Sequence, residues 1–236
     1  IVHAGPLERC HPTGVSSEAY CAKIPSRVEN GTKELNVMVL PAIQPRAESS
    51  PLFLLAGGPG QPGTTVAPYV APIMQELQRA RDLVFIDQRG TGQSSPLNCA
   101  DEPEDLSTLF NPQFSTEQLQ ICLKELKFKP GEYLTSVAAD DIEDVRIALG
   151  YERIDLYGIS YGTRLALETM RRYPDTVHST ILDGAVGFST PLGSTFERTV
   201  ADSLEKIFTD CRESTPCAEA FPSLEADFSE LLAKMS

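Results

Sequence analysis

Histidine is scarce in this chain. Among the 236 residues there are three histidines and no tryptophan. The histidines stand far apart, at positions 3, 11 and 178, and no C-x-x-C pair accompanies them. Structural zinc sites need closely spaced His and Cys ligands, so this distribution argues against a metal site. We therefore expect no metal ion and no other cofactor.

Clusters of basic residues and long apolar runs are also missing. The net charge is −13, and the acidic residues are spread along the chain. Proteins that bind nucleic acid or an anionic membrane surface need grouped Lys and Arg side chains to displace counterions, so neither partner is expected. No apolar stretch approaches the roughly 20 residues of a transmembrane helix, so we expect no membrane span.

The remaining composition is that of a globular protein. Hydrophobic residues make up 41% of the chain and charged residues 22%, which are ordinary fractions. With 236 residues, the chain can bury one large core and is marginal for two domains. It begins at Ile1, with no charged-then-apolar leader, and we expect a processed or trimmed product.

The six cysteines fall into three local pairs. Many pairings are possible, and proximity alone favours Cys10 with Cys21, Cys99 with Cys122, and Cys211 with Cys217. An even number of cysteines beside loop segments predicts disulfides and an oxidising compartment, so a secreted or periplasmic protein. The alternative is six buried thiols in a cytosolic protein.

The stretch IDLYGISYGT at 154–163 carries the clearest motif. A short apolar run, typical of a buried strand, leads into GISYG at 158–162, which fits the G-x-S-x-G nucleophile elbow. Helical spacing then follows until Pro174. Strand, sharp turn and helix are the context that the motif needs, so we predict that Ser160 is a nucleophile whose hydroxyl stands clear of the sheet. The alternative is a tight turn with a solvated serine.

Two further apolar runs end in motifs. One leads into AGGPG at 56–60, where glycine would let backbone N–H groups approach a developing negative charge. The alternative for this segment is a plain turn rich in Gly and Pro. The other run leads into DQRGTGQS at 87–94, where we predict that Asp87 and Arg89 pair and hold the loop.

Strands alternate with helices along the chain, which predicts an α/β fold with a mostly parallel sheet flanked by helices. Residues 1–23 read as irregular, and a helix with Asp140 as its N-cap is predicted to end at Gly150. Further strands are predicted at 35–40 and 179–182, with 21–28 as an antiparallel partner of the first. Ligands bind at the carboxyl ends of parallel strands, so the three motifs are expected to converge there.

Taken together, the segments at 57–60, 87–94 and 158–163 occur in an order and spacing that carry a family resemblance. The chain resembles the α/β-hydrolase serine peptidases of the prolyl aminopeptidase and tripeptidyl aminopeptidase group, and most of all their secreted, cysteine-containing bacterial members. The resemblance runs from about Cys10 to the C-terminus. It implies the α/β-hydrolase fold.

The resemblance also implies roles for individual residues. Ser160 would be the nucleophile, and the backbone N–H groups of Gly58 and Tyr161 would form the oxyanion hole. A cis peptide bond would precede Pro59. Many relatives carry histidine at the position of Ala56, a departure that should not disturb a hole made of backbone groups.

From residue 187 the pattern changes to two amphipathic helical stripes. Residues 1–186 are therefore expected to be the N-terminal part of an α/β-hydrolase catalytic domain. Residues 187–236 are expected to begin a helical cap, with two ordinary surface helices as the alternative. The last strands of the fold are expected to lie outside this chain.

The triad is incomplete in this chain. Hydrolases of this fold supply it in the order Ser, then Asp or Glu, then His. All three histidines are wrongly placed, and His178 comes just before a predicted strand, at the end opposite the one that carries the turn of Ser160. Asp183, at a strand's carboxyl end, is a candidate acid. We expect a second polypeptide or a C-terminal segment to supply the remaining strands, the acid and the histidine; the alternative is a degenerate fold used for binding.

These features predict a serine exopeptidase that removes N-terminal residues or tripeptides from peptides through an acyl-enzyme on Ser160. Glu197 and Glu205 are candidate carboxylates for the amino group of the peptide substrate. One alternative is an esterase or lactonase on the same scaffold. Another is a binding module without catalysis.

Overall fold

The computed structural model describes residues 5–27, 33–98, 116–125, 129–191, 193 and 195–235. Strands of this part of the chain form one seven-stranded sheet, in the order β1-β2-β3-β5-β4-β6-β7. The strands are β1 Glu8–Cys10, β2 Ala19–Ser26, β3 Lys33–Leu40, β4 Leu52–Leu55, β5 Leu83–Ile86, β6 Ile154–Ile159 and β7 Val177–Asp183.

The sheet is mixed in direction. Its first three strands pair antiparallel, and β3 is also antiparallel to β5. The strands β5, β4, β6 and β7 are then mutually parallel. Parallel neighbours need crossover connections, which the helices provide. The predicted α/β fold, with a mostly parallel sheet flanked by helices, is confirmed.

Helices cover both faces of the sheet. Within the described ranges, no helix is long and apolar enough to cross a membrane. A short 3₁₀ helix, Pro130–Tyr133, precedes the fourth α-helix. The α-helices are α1 Gly63–Val70, α2 Gln75–Gln78, α3 Thr116–Glu125, α4 Thr135–Ala148, α5 Tyr161–Arg172, α6 Phe196–Glu213, α7 Thr215–Ala220 and α8 Leu224–Met235.

Alternate residues of the central strands feed two apolar cores. In β4, Phe53 belongs to the core that also receives Ile142 of α4 and Leu165 of α5. Its neighbour Leu54 belongs to the core that receives Ala67 of α1. Successive side chains of a strand point to opposite faces. A continuous apolar run such as LFLL therefore indicates a strand covered on both sides.

The structure corrects two local predictions. Residues 1–23 are not irregular throughout, because β1 and the start of β2 lie there, with Cys10 opposite Ala19 in the pairing register. The exposed three-residue β1 carries no apolar pattern that would reveal it. Asp140 is not an N-cap: α4 begins at Thr135, and the first turn of small side chains hid that start.

The chain divides into two compact units, Ile1–Gly187 and Phe188–Ser236. Unit 1 holds the sheet and a disulfide between Cys10 and Cys21. Unit 2 holds α6, α7 and α8, with a disulfide between Cys211 and Cys217. The ring centroids of Phe208 on α6 and Phe228 on α8 lie 5.7 Å apart, so the two helices pack against each other there. Cys99 lies outside the described residues, so its pairing with Cys122 stays a prediction.

Helix α4 is an electrostatic centre of unit 1. Its side chains at 140–144 include four carboxylates, and each pairs with an arginine. Three of these arginines come from other elements, so the pairs connect α4 to much of the surrounding chain. The pairs are Asp140 with Arg172, Asp141 with Arg89, Glu143 with Arg146 and Asp144 with Arg27.

The pair between Arg89 and Asp141 is the most buried of these. Both side chains are 3% exposed, and two hydrogen bonds of 2.6 and 2.5 Å join the guanidinium to the two carboxylate oxygens. Ser26 accepts a hydrogen bond from Arg89 and donates one to Asp141. Burial raises the pKa of the Asp141 carboxyl, and the guanidinium of Arg89 counteracts that effect. The predicted pair between Asp87 and Arg89 is therefore wrong.

We expect the substitution Arg89→Met to destabilise the protein strongly, because it leaves the Asp141 carboxylate buried without its cation. The free energy of unfolding should fall by about 3 kcal/mol or more. Lys206→Met is the control: Lys206 pairs with Asp210, and both side chains are more than half exposed. That change should be below about 1 kcal/mol. Urea unfolding of both variants measures the difference, and equal losses would contradict a special role for the buried pair.

Candidate active site

Ser160 occupies the turn between β6 and α5. Its backbone angles are φ 54° and ψ −119°, a combination that a residue with a side chain adopts only under strain. Ser160 is exposed, and its backbone N–H donates to the Asp183 carbonyl at 2.8 Å. The first N–H groups of α5 have no acceptor within the helix, so the turn lies at the positive end of the helix dipole.

Two glycines let the elbow fit against the sheet. A Cβ on Gly162 would lie 2.0 Å from the carbonyl oxygen of Leu55, at the end of the neighbouring strand β4. A Cβ on Gly158 would lie 2.5 Å from the carbonyl oxygen of Gly162. Both contacts are with backbone, which cannot move aside as a flexible side chain would. The end of β6, the start of α5 and the end of β4 therefore approach each other only because these positions lack side chains.

The glycine segment at 57–60 lies beside Ser160. A Cβ built on Gly57 would be 3.2 Å from the Cβ of Ser160. Gly58 has φ 105°, and the peptide bond between Gly58 and Pro59 is cis. Two of the three motifs thus meet at the carboxyl ends of β4 and β6.

The third motif holds its neighbours through Asp87, which is fully buried. One carboxylate oxygen accepts from the backbone N–H and the hydroxyl of Thr64, at the start of α1. The other accepts from the Asn36 side chain on β3 and from the backbone N–H of Gln93. Asp87 therefore fixes the start of α1 and its own loop, and it needs no contact with Arg89.

A separate bond ties this loop to the glycine segment. The side-chain amide of Gln88 donates to the Ala56 carbonyl at 3.2 Å. Gln88 is buried, so water competes little for that carbonyl. The segments at 57–60 and 87–94 are thereby held in one arrangement beside Ser160.

Neither described histidine is near Ser160. The Nδ1 atom of His178 is 3.0 Å from Asp155, near the start of β6, whereas Ser160 follows the end of that strand, roughly 15 Å along it. His11 follows β1, which is separated from β6 by four strands of the sheet and thus by roughly 24 Å. His3 lies outside the described residues.

Asp183 adjoins the elbow through backbone and side chain. Its carbonyl accepts from Ser160, and its exposed carboxylate accepts a hydrogen bond of 2.9 Å from the hydroxyl of Tyr157. This hydrogen bond raises the pKa of the Tyr157 phenol. The carboxylate of Asp183 is thus oriented at the same edge of the sheet as Ser160.

The two candidate glutamates lie on α6 of unit 2. Glu197 is in the first turn, and Glu205 accepts a hydrogen bond from Arg212 at 3.1 Å. Within the part of the chain that is described, no three His, Cys, Asp or Glu side chains gather in a way that could hold a metal ion.

Some residues that hold the segments around Ser160 in place were not predicted from the sequence. Ser26 and Asp141, the partners of Arg89, lie 63 and 52 positions away from it in sequence. Thr163 is fully buried and donates to the Ser160 carbonyl at 2.6 Å. The motif at 158–163 includes Thr163, but the residue type alone does not show what its hydroxyl contacts.

The sequence of this chain matches a known family over most of its length. Residues 50–213 match the family described as the α/β-hydrolase fold. The chain belongs to the α/β-hydrolase family. The matched range contains all three motifs of the site, so the elbow, the glycine segment and the 87–94 loop are parts of this hydrolase fold.

Named relatives of this α/β-hydrolase include peptidases. YuaR of Escherichia coli, named as a hydrolase, is 31% identical over 153 residues, which are 62% of this chain and 30% of YuaR. Serine protease Hip1 of Mycobacterium tuberculosis is 27% identical over 221 residues, covering 84% of this chain and 42% of Hip1. Tripeptidyl aminopeptidase of Streptomyces lividans is 27% identical over 150 residues, covering 55% of this chain and 27% of that enzyme. The chain thus spans less than half the length of each.

We expect Gly162→Ala to disrupt the elbow, because the added Cβ would overlap the carbonyl oxygen of Leu55. The free energy of unfolding should fall by about 2 kcal/mol or more. Gly131→Ala is the control, since a Cβ there meets no atom within 4 Å; it should change stability by less than about 0.5 kcal/mol. Thermal unfolding of both variants provides the measurement. A Gly162→Ala protein as stable as the control would show that the close backbone approach does not exist in solution.

Proposed function

We propose that this α/β-hydrolase is a serine exopeptidase, an aminopeptidase that releases N-terminal residues or tripeptides from peptides. The observation that carries the proposal is the elbow: an exposed serine in a strained conformation, next to glycine backbone and at the start of a helix. Strain of this kind persists where the surroundings over-determine it, and it concentrates at functional sites. The names of Hip1 and of the Streptomyces enzyme support a peptide substrate.

In the proposed reaction, the Ser160 hydroxyl attacks the carbonyl carbon of the scissile peptide bond. Its proton passes to a histidine and from there to the leaving amine. The backbone N–H groups of Gly58 and Tyr161 stabilise the negative oxygen of the tetrahedral intermediate. Water then hydrolyses the acyl-enzyme, with the same histidine as base.

We further propose that polypeptide other than residues 1–236 supplies that histidine. His11 and His178 lie far from Ser160, and without a base a serine hydroxyl is a poor nucleophile near neutral pH. The same polypeptide would add strands beside β7, which is the last strand of the described sheet. Ile181 and Leu182 of β7 are 50% and 37% exposed, and an open edge with such side chains favours further pairing. Asp183 is the candidate acid unless that polypeptide brings its own.

The role proposed for residues 187–236 is the start of a helical cap. Phe196, Val200 and Ile207 of α6 are each more than half exposed, which leaves an apolar stripe available to cover a substrate. Glu197 and Glu205 would bind the protonated amine of the peptide. The disulfides fit a secreted or periplasmic enzyme, because such bonds persist in oxidising compartments.

The substrate prediction is tested on the full protein with three substrates. We expect a peptidyl naphthylamide with a free amino group to be cleaved at least about ten-fold faster than its N-acetylated form, since a carboxylate-bound amine contributes more than 1.4 kcal/mol. Ser160→Ala should lower kcat by about a thousand-fold or more. Ser16→Ala, at an exposed position between β1 and β2, is the control and should leave kcat unchanged.

Two results would overturn this assignment. Fast hydrolysis of nitrophenyl esters with no cleavage of either naphthylamide would identify an esterase or lactonase. Absence of fluorophosphonate labelling at Ser160 in the full protein would identify a binding module.

The origin of the histidine is tested on protein purified from its natural source. We expect mass spectrometry of the active preparation to find histidine-bearing polypeptide in addition to residues 1–236, either linked to them or associated with them. Replacing that histidine with alanine should abolish fluorophosphonate labelling of Ser160, because the hydroxyl loses its base. An active preparation that contains residues 1–236 and nothing else would refute the proposal.

A further inference from the structure

The hydroxyl of Thr163 links the nucleophile turn to the chain that follows β7. It donates to the Ser160 carbonyl at 2.6 Å and accepts from the backbone N–H of Val186 at 2.8 Å. The backbone N–H of Thr163 donates to the same Ser160 carbonyl at 3.0 Å. Thr163 is 0% exposed. Its hydroxyl proton is used by one partner and an oxygen lone pair by the other, so it has little freedom to rotate.

The Ser160 carbonyl belongs to the same peptide group as the N–H of Tyr161. A trans peptide is planar, and its C=O and N–H point in opposite directions. Two donors from Thr163 hold the oxygen of this group. They therefore also set the direction of the Tyr161 N–H, which is the elbow's proposed oxyanion donor.

Val186, whose backbone N–H donates to the Thr163 hydroxyl, belongs to a segment that is itself held in place. The segment at 183–187 is joined to the elbow by three contacts: Ser160 N–H to the Asp183 carbonyl at 2.8 Å, Val186 N–H to Thr163, and the Arg164 guanidinium to the Gly187 carbonyl at 2.7 Å. Thr163 is thus anchored between two backbone segments at the carboxyl ends of β6 and β7. A hydroxyl anchored on both sides can resist rotation of the peptide group that it contacts.

We propose that Thr163 is a positioning residue that orients the Tyr161 N–H for stabilising the oxyanion. This inference deepens the proposed function and rests on it in two respects: Ser160 must act as a nucleophile on a carbonyl, and the Tyr161 N–H must be an oxyanion donor. It does not depend on whether the substrate is a peptide or an ester. Thr163 touches no reacting atom and acts through the peptide group between Ser160 and Tyr161.

The test compares Thr163→Val, Thr163→Ser and Thr169→Val in the full protein. Valine keeps the shape of threonine, but its side chain can neither donate to the Ser160 carbonyl nor accept from Val186; its backbone N–H still donates to that carbonyl. Serine keeps both side-chain hydrogen bonds. Thr169 is the matched control: it is 1% exposed on the same helix, and its hydroxyl donates to the Leu165 carbonyl one turn earlier, away from the elbow.

We expect Thr163→Val to lower kcat by about ten-fold with KM nearly unchanged, because the N–H of Tyr161 interacts most strongly with the charge that develops in the transition state. The loss should be smaller than the roughly hundred-fold or greater loss that follows removal of a whole oxyanion donor. Inhibition by a peptide aldehyde, whose hemiacetal adduct places an oxygen in the hole, should weaken by a similar factor. Thr163→Ser should restore both values.

The outcomes separate this inference from the proposed function. All variants are assayed on a naphthylamide and on a nitrophenyl ester. A wild-type protein that cleaves only the ester contradicts the peptidase assignment, and the ester data still test Thr163. If Thr163→Val keeps kcat and aldehyde affinity while its melting temperature falls as much as that of Thr169→Val, the role of Thr163 is structural and the inference is wrong. A wild-type protein inactive on both substrates and unlabelled at Ser160 overturns both.

Discussion

The active-site edge depends on a close approach of backbone to backbone. Gly162, in the first turn of α5, lies so near the end of β4 that a methyl group would overlap the Leu55 carbonyl oxygen. This contact brings Ser160 next to the glycine segment that follows β4. It also keeps Ser160 at φ 54°, because strand and helix leave the residue between them no relaxed conformation. Exposure of the serine and its strain thus have one cause, the missing side chains around it.

Holding the remaining loops requires buried polar groups. Asp87 accepts four hydrogen bonds from three segments, and Arg89 reaches away from it to Asp141 on α4. Asp87 and Arg89 thus have different sets of partners, and the 87–94 loop is held by both sets. Replacing a whole buried ion pair with apolar residues is often neutral for stability, whereas removing one partner is strongly destabilising.

Local features of the sequence predicted the site better than long-range ones. The elbow was predictable because strand, turn and helix are adjacent in the chain, and the limits of β4 and β5 coincide with their apolar runs. The partner of Arg89 was not predictable: Asp87, two residues away, satisfied the charge pattern, whereas Asp141 is 52 residues away. Asp140 likewise fits an N-cap by residue type, yet it binds Arg172 from the middle of α4, because tertiary pairing outweighed a local preference. The sequence shows which residues are charged, but it does not show which distant helices, strands and loops come into contact.

Unit 1 holds a strained serine beside a glycine segment, but no described histidine lies near that serine. The backbone strain at Ser160 and the close backbone contacts at Gly158 and Gly162 are both in unit 1. The open edge of β7 lies opposite its pairing with β6, and Asp183 at the end of β7 adjoins the elbow. Strands added there would bring their carboxyl ends, and a histidine that follows one of them, within reach of the Ser160 hydroxyl. Under the proposal that further polypeptide pairs with β7, the open edge and the lack of a described histidine near Ser160 would have the same explanation.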